Sequence, residues 1–241
     1  DHSWHAGLGW AIQDIARDGQ TSHNLWGGPT YQRDLGYQWL DDHGRIVHLD
    51  WCPHPSGFGG RQTLEWRDRD DQTLLDEVRR LQWVKLDDVA WALRWTTELT
   101  TTDDRAVTLG SAGSNGRVGA GYGGFFWRLP AGDEVRVWTP SGEGEAAVHG
   151  SRGPWLAWSA LSPETRKPYT VVISGDDEAS LADPFFVRVR DYPAISSALA
   201  WSERTTLRSL ARSFTAVVAD GWLEDQAIFN ALARARESLT Q

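Results

Sequence analysis

The feature that most constrains the fold of this chain is a regular alternation of side chains along residues 89–99. Every second position carries a large or β-branched side chain: Val89, Trp91, Leu93, Trp95, Thr97 and Leu99. The positions between them carry Ala90, Ala92, Arg94, Thr96 and Glu98. Because successive side chains of a β-strand point to opposite faces of a sheet, this period of two predicts a long strand with one buried face.

Shorter segments with strand-like composition follow one another along the chain. They span residues 45–51, 61–67, 106–109, 125–129, 134–139, 155–160, 169–174 and 185–190. Turn-forming clusters rich in Asp and Gly separate them, for example at residues 41–44, 102–104, 130–133 and 141–142. Regularly spaced short strands joined by such turns are typical of β-sandwiches and barrels.

Two further segments complete the pattern. Residues 74–83 fit helical and strand spacing almost equally, and the strands on both sides favour a strand. Residues 223–239 carry an apolar face opposite charged side chains, which predicts an amphipathic helix. This helix follows a last strand around residues 216–218. We find no internal repeat and no dividing linker, so we predict a single β-sandwich domain over residues 1–241.

Composition excludes several classes of function. The net charge of -9 argues against a nucleic-acid or anionic-membrane binder, and no apolar run is long enough to span a bilayer. The single cysteine, Cys52, cannot form an internal disulfide, which leaves the compartment open with a slight preference for the cytoplasm. The sequence contains no methionine, so we expect that upstream residues, including N-terminal strands of the sandwich, are missing. Oligomeric state is left open.

The opening of the chain holds the first candidate site. His2 and His5 lie three positions apart beside Asp1, and His48 follows on a predicted strand. Neutral imidazoles with one carboxylate suit a divalent metal such as Zn, Mn or Fe(II). Alternatively, one of these imidazoles acts as base and another as acid on a sugar, or His2 and His48 only hydrogen-bond the backbone and cap a sheet end.

Aromatic and polar residues elsewhere extend this site. The chain has 15 tryptophans, of which Trp4, Trp26 and Trp51 could stack on a sugar ring or simply pack in the core. Tyr122 and Arg188 could steady negative charge that develops on a substrate. The glycine-rich residues 110–124 lack the ending of a phosphate-binding loop, so we expect a loop or a close strand approach beside a site.

Several blocks of the sequence resemble a bacterial family usually labelled PmoA-like or DUF6807. Family members show the block Asp-His-Pro-(His/Trp)-His-Arg-Gly-Leu, which is similar to residues 1–8 except at Ser3 and Ala6. The loss of the arginine at position 6 removes a fixed cation and its donors. Further matching blocks are Asn24-x-Trp26, residues 44–48, residues 107–110, residues 121–124, Asp183-Pro184, Phe186 and Arg188.

The resemblance implies carbohydrate chemistry. Family members look like soluble β-sandwich proteins of the galactose-mutarotase-like supersandwich or jelly-roll kind, and they occur among sugar-catabolic oxidoreductases. The label itself names a subunit of methane monooxygenase, which is an integral membrane protein. This polar chain has no membrane-spanning segment, so we expect the label to be misleading. We therefore expect an all-β antiparallel β-sandwich with a C-terminal helix. We expect this protein to bind a small carbohydrate or polyol and to act on it as an enzyme. The alternatives are a non-catalytic sugar-binding module and a redox metalloprotein.

Overall fold

The computed structural model describes residues 7–17 and 19–239, and these residues are mostly β-strand. The strands are β1 Leu8–Ala11, β2 Asp14–Arg17, β3 Thr30–Gln32, β4 Gly36–Gln38, β5 Arg45–Pro53, β6 Gly59–Arg67, β7 Thr73–Lys85, β8 Ala90–Thr101, β9 Val107–Gly110, β10 Gly124–Arg128, β11 Asp133–Thr139, β12 Gly142–Glu143, β13 Leu156–Leu161, β14 Pro168–Gly175, β15 Phe185–Arg188, β16 Ala194–Ala198, β17 Thr205–Leu207 and β18 Ser209–Asp220. The helices are α1 Glu145–Val148, α2 Glu178–Ala182 and α3 Asp225–Ser238.

Antiparallel pairing organises these strands into two main sheets. The larger sheet has nine strands in the order β12-β11-β13-β14-β18-β8-β7-β6-β5. The smaller one has four strands in the order β1-β10-β16-β15. A three-stranded sheet, β17-β9-β2, and the hairpin β3-β4 complete the arrangement. The segment with ambiguous spacing is strand β7, as the neighbouring strands predicted.

The main core lies between the two sheets. Phe125 of the four-stranded sheet stacks on Phe214 of the nine-stranded sheet, with ring centroids 4.5 Å apart. Trp95 meets Phe125 edge-on at 5.8 Å, and all three side chains are buried. The predicted antiparallel β-sandwich with a C-terminal helix is therefore confirmed.

Strand β8 shows where the alternation pattern needed correction. Trp95 and Leu99 are buried in the sandwich as predicted, but Trp91 on the same face is 42% exposed. On the opposite face Ala92 is fully buried, because helix α3 covers it with Ile228 and Leu232. A small side chain at this position lets the helix approach the sheet closely.

The four-stranded sheet also has an outer face that packs against loops. Phe126 and Phe186 lie on this face, next to the buried side chains of Trp26 and Tyr122. This second apolar cluster is separated from the main core by the sheet itself. Within the described ranges, no helix combines the length and apolar character that crossing a bilayer requires.

Candidate functional site

The outer face of the four-stranded sheet forms the floor of a cavity of about 460 Å³, which we call the aromatic cavity. Six aromatic side chains line it: Trp26, Tyr37, Tyr122, Phe126, Phe186 and Tyr192. Four charged side chains also line it: Arg117, Arg188, Arg190 and Asp191. Cavities of this size hold small molecules in proteins, and apolar walls with a few polar groups are their usual lining.

Trp26 is positioned by the side chain of Asn24. The Asn24 Oδ1 atom accepts a hydrogen bond from the Trp26 backbone N–H at 2.7 Å, and Asn24 Nδ2 donates to the carbonyl of Gly28 at 2.8 Å. An Asn side chain that bonds the backbone two residues later makes a local turn of this kind. Asn24 is completely buried, so this turn is fixed and Trp26 packs against Tyr122 with ring centroids 4.6 Å apart.

Tyr122 is carried by the glycine-rich loop that precedes β10. Two of its glycines, Gly113 and Gly121, lie against Trp201. A Cβ atom on Gly121 would lie 2.6 Å from the Trp201 Cα atom, and one on Gly113 would lie 2.1 Å from the Trp201 carbonyl oxygen. The glycines therefore allow a close approach of two backbones, which agrees with the prediction of a loop beside a site.

The Tyr122 hydroxyl belongs to a hydrogen-bond network that reaches the cavity rim. It accepts a bond from Gln13 Nε2 at 2.8 Å and shares another with the Tyr37 hydroxyl at 2.8 Å. Arg117 donates to the Tyr37 hydroxyl and lies over its ring. Burial raises the pKa of Tyr122 well above its ordinary value, so this phenol remains protonated.

Arg188 lies at the end of β15, where His149 and Glu145 hold it. Its Nη1 atom donates to the Val187 carbonyl at 2.9 Å and lies 3.4 Å from Glu145 Oε1. His149 Nδ1 accepts from the Val187 N–H at 3.2 Å, so its Nε2 carries the proton and donates to the Gly119 carbonyl at 2.8 Å.

The same surroundings keep His149 neutral. Burial, and then the nearby positive charge of Arg188, lower the pKa of His149 below its ordinary value. The neutral ring therefore serves as a brace between the loop that contains Gly119 and the end of β15. It does not add a positive charge to the cavity.

The structure brings together three of the side chains that the sequence singled out. Trp26, Tyr122 and Arg188 all line the aromatic cavity. His48 and Trp51 do not: both lie on β5, the edge strand of the nine-stranded sheet, where His48 contacts Gln62 at 3.0 Å and Trp51 is 37% exposed.

The remaining predicted site residues, Asp1, His2, Trp4 and His5, lie outside the described residues. Among residues 7–17 and 19–239, no three His, Cys, Asp or Glu side chains converge in a way that could hold a metal ion. The predicted divalent-metal site combines His48 with three of the residues outside these ranges, so it stays a prediction.

Sequence reasoning did not identify several residues of the cavity. Tyr37, Arg117 and Tyr192 come from loops or short strands, where no periodicity marks a functional side chain. The polar neighbours of His149 in the sequence favour a solvated side chain, yet it is half-buried and hydrogen-bonded on both nitrogens. The local signals that point to this region are the Gly-Tyr-Gly-Gly block at residues 121–124, the Asn24-x-Trp26 block, and the block with Phe186 and Arg188.

The fold and the cavity together define an antiparallel β-sandwich protein with an aromatic-lined cavity on the outer face of its smaller sheet. The family comparison then places the chain. The chain matches DUF6807, a family of unknown function, over residues 1–233, and it belongs to that family. No match was found among curated proteins.

Similarity to solved structures is weak and concerns larger proteins. A polysaccharide lyase matches with a TM-score of 0.45 and 10% identity, over 97% of this chain and 28% of that chain. A protein provisionally named as a kojibiose phosphorylase, from the human microbiome, matches with a TM-score of 0.36 and 10% identity, over 96% of this chain and 33% of that chain. This chain thus spans about a third or less of the length of either protein.

Proposed function

We propose that the aromatic cavity binds a carbohydrate or a related polyol. The observation that supports this proposal is the combination of six aromatic rings with guanidinium and hydroxyl groups around one cavity. A sugar ring has apolar C–H faces that pack on aromatic rings and hydroxyl edges that need hydrogen-bond partners. The cavity offers both kinds of contact.

The roles of the individual side chains follow from their exposure. Tyr37 is 39% exposed and stands at the rim, where a sugar face can stack on its ring. Trp26 and Tyr122 are nearly buried and form the deeper wall. Arg188 has guanidinium hydrogens left over after its backbone contacts, and these can donate to sugar hydroxyls.

Chemistry on the bound sugar is a second candidate function, and the Tyr37 hydroxyl favours it. This hydroxyl lies between the Arg117 guanidinium and the Tyr122 hydroxyl. A hydroxyl that two hydrogen-bond partners hold in place at a cavity is positioned to exchange a proton with a bound substrate. The predicted acid or base roles of His2, His5 and His48 stay open beside this one.

Calorimetric titration tests the binding proposal. The wild-type chain is titrated with a panel of monosaccharides, sugar acids and polyols, and the best binder is then titrated into Tyr37→Ala. We expect the variant to bind about threefold to tenfold more weakly, which is the usual contribution of one aromatic contact. Trp222→Ala is the matched control, since Trp222 is an equally exposed aromatic at 41% that does not line the cavity. No binding in the whole panel, or equal losses in both variants, would refute the proposal.

Two further measurements separate the alternatives. If the protein is an enzyme, NMR of the bound sugar over time shows a new product, and Tyr37→Phe slows its formation. A non-catalytic module binds the sugar and leaves it unchanged. Elemental analysis of the wild type and of a His2→Ala, His5→Ala double variant tests the redox metalloprotein: stoichiometric metal that disappears in the variant would support it.

A further inference from the structure

We infer that the carbohydrate bound in the aromatic cavity carries an oxyanion, either a carboxylate or a phosphate. This inference rests on the proposed function and concerns the same cavity. Three arginines and one aspartate line the cavity, in a chain whose overall net charge is -9. A cavity with excess positive charge attracts anions, whereas the rest of this acidic protein's surface repels them.

Two of these arginines keep their charge available. Arg117 donates to the hydroxyl of Tyr37, and no described acidic side chain forms an ion pair with Arg117 or with Arg190. Both are exposed at the cavity rim. A guanidinium has five donors in a planar fork that matches the two oxygens of a carboxylate or a phosphate.

Arg188 differs because its guanidinium is held in place. It donates to the Val187 carbonyl, contacts the Gly119 carbonyl at 3.4 Å, and lies 4.9 Å from the Phe186 ring centroid. Glu145 at 3.4 Å offsets part of its charge. Arg188 therefore supplies a donor held in position and less exposed, while Arg117 and Arg190 supply exposed cations at the cavity rim.

Stacking on tyrosine explains only part of this arrangement. Arg117 lies 5.0 Å from the Tyr37 ring centroid, and such a contact stabilises a surface by itself. It does not account for the second rim arginine or for Arg188 in the same cavity. Convergence of three guanidinium groups on one space is the pattern expected where an anion is bound.

Matched ligand pairs test the inference by calorimetry on the full chain. The pairs are glucose with glucuronate and galactose with galacturonate, each differing only in the carboxylate, and glucose 6-phosphate is added as the phosphate arm. We expect the acidic partner to bind about 10- to 100-fold more tightly at 0.05 M NaCl, the range for one or two charge-assisted hydrogen bonds. At about 0.5 M NaCl this difference should shrink, because salt screens exposed charges.

A pair of charge-matched variants locates the effect. Arg117→Gln should weaken binding of the acidic sugar about tenfold more than it weakens binding of the neutral sugar, because only the acidic sugar loses a charge-assisted hydrogen bond. Arg234→Gln is the control: it removes one positive charge from helix α3, where Arg234 is 50% exposed and pairs with Asp87 at 2.9 Å. Helix α3 packs on the nine-stranded sheet, away from the cavity, so this variant should bind both sugars like the wild type.

The outcomes distinguish this inference from the function on which it rests. Equal affinity for acidic and neutral sugars overturns the inference and leaves carbohydrate binding standing. Equal losses in Arg117→Gln and Arg234→Gln overturn the inference too, because the effect would then be one of net charge. Tighter binding of the phosphate than of the carboxylate supports it and assigns the oxyanion. If no sugar of either kind binds, both proposals fail.

Discussion

A buried ion pair in the nine-stranded sheet gives the sharpest stability prediction. Glu77 is completely buried, and its carboxylate accepts two hydrogen bonds from Arg79, at 2.8 and 2.9 Å. Trp66 donates to it at 2.8 Å and Thr97 at 3.1 Å, so each oxygen has two donors. Arg79 itself lies over the Trp95 ring, 4.4 Å from the centroid.

The perturbation is Arg79→Met, which keeps an apolar side chain over Trp95 and removes the charge. The variant loses two charge-assisted hydrogen bonds, each of which contributes about 1.5–3 kcal/mol to the free energy of unfolding. Removal of one partner of a buried pair costs about 3–5 kcal/mol, because the other charge is left uncompensated. Since Trp66 and Thr97 still donate to Glu77, we expect the lower end, about 3 kcal/mol of the free energy of unfolding.

Urea denaturation at neutral pH measures this change, and the next residue supplies the control. Arg80 points to the other side of β7, is 48% exposed and pairs with Glu98, so Arg80→Met should cost only about 0–1 kcal/mol. Adding Glu77→Gln to Arg79→Met should recover part of the stability, because no buried charge then remains. If Arg79→Met costs no more than Arg80→Met, the buried pair does not stabilise the sheet as argued.

Three further predictions concern the cavity and the C-terminal helix. Burial lowers the pKa of His149 below 6.5, so the unfolded chain is protonated at this histidine before the folded protein as the pH falls, and the free energy of unfolding should decline below about pH 6.5. His149→Gln should flatten that decline in urea denaturation at a series of pH values. An equally steep decline in the variant would show that another group causes it. Tyr122→Phe removes the acceptor of the Gln13 amide and should lower the free energy of unfolding by about 1–2 kcal/mol in thermal denaturation, whereas a neutral effect would mean that water replaces the hydroxyl. Asp225→Ala removes the acceptor of the Trp138 indole N–H at 2.9 Å and a negative charge from the first turn of α3. It should therefore lower the free energy of unfolding by about 1 kcal/mol in urea denaturation. Unchanged stability would show that apolar packing alone holds the helix against the sheet.

The candidate site could be predicted only in part, and the three residues that converge show why. Trp26, Tyr122 and Arg188 were each singled out from local sequence blocks, but nothing local related them to one another. They come from a turn near the N-terminus, the glycine-rich loop and the end of β15, and only the packing of the four-stranded sheet brings them to one cavity. His48 and Trp51 carry equally suggestive side chains, yet they lie on an edge strand and do not line the cavity.

What the sequence determined by itself is the class of fold, because side-chain periodicity is a local property. The period of two along β8 and the apolar face of residues 223–239 each fixed an element without reference to the rest of the chain. Tertiary structure alone decided which faces are buried. Ala92 is covered because helix α3, more than 130 residues further along the chain, packs on that face of the sheet. Trp91 lies on the opposite face, which the helix does not cover, and is 42% exposed. The aromatic cavity also depends on tertiary structure. Its floor is the four-stranded sheet, and long-range strand pairing brings the loops that form its walls next to one another.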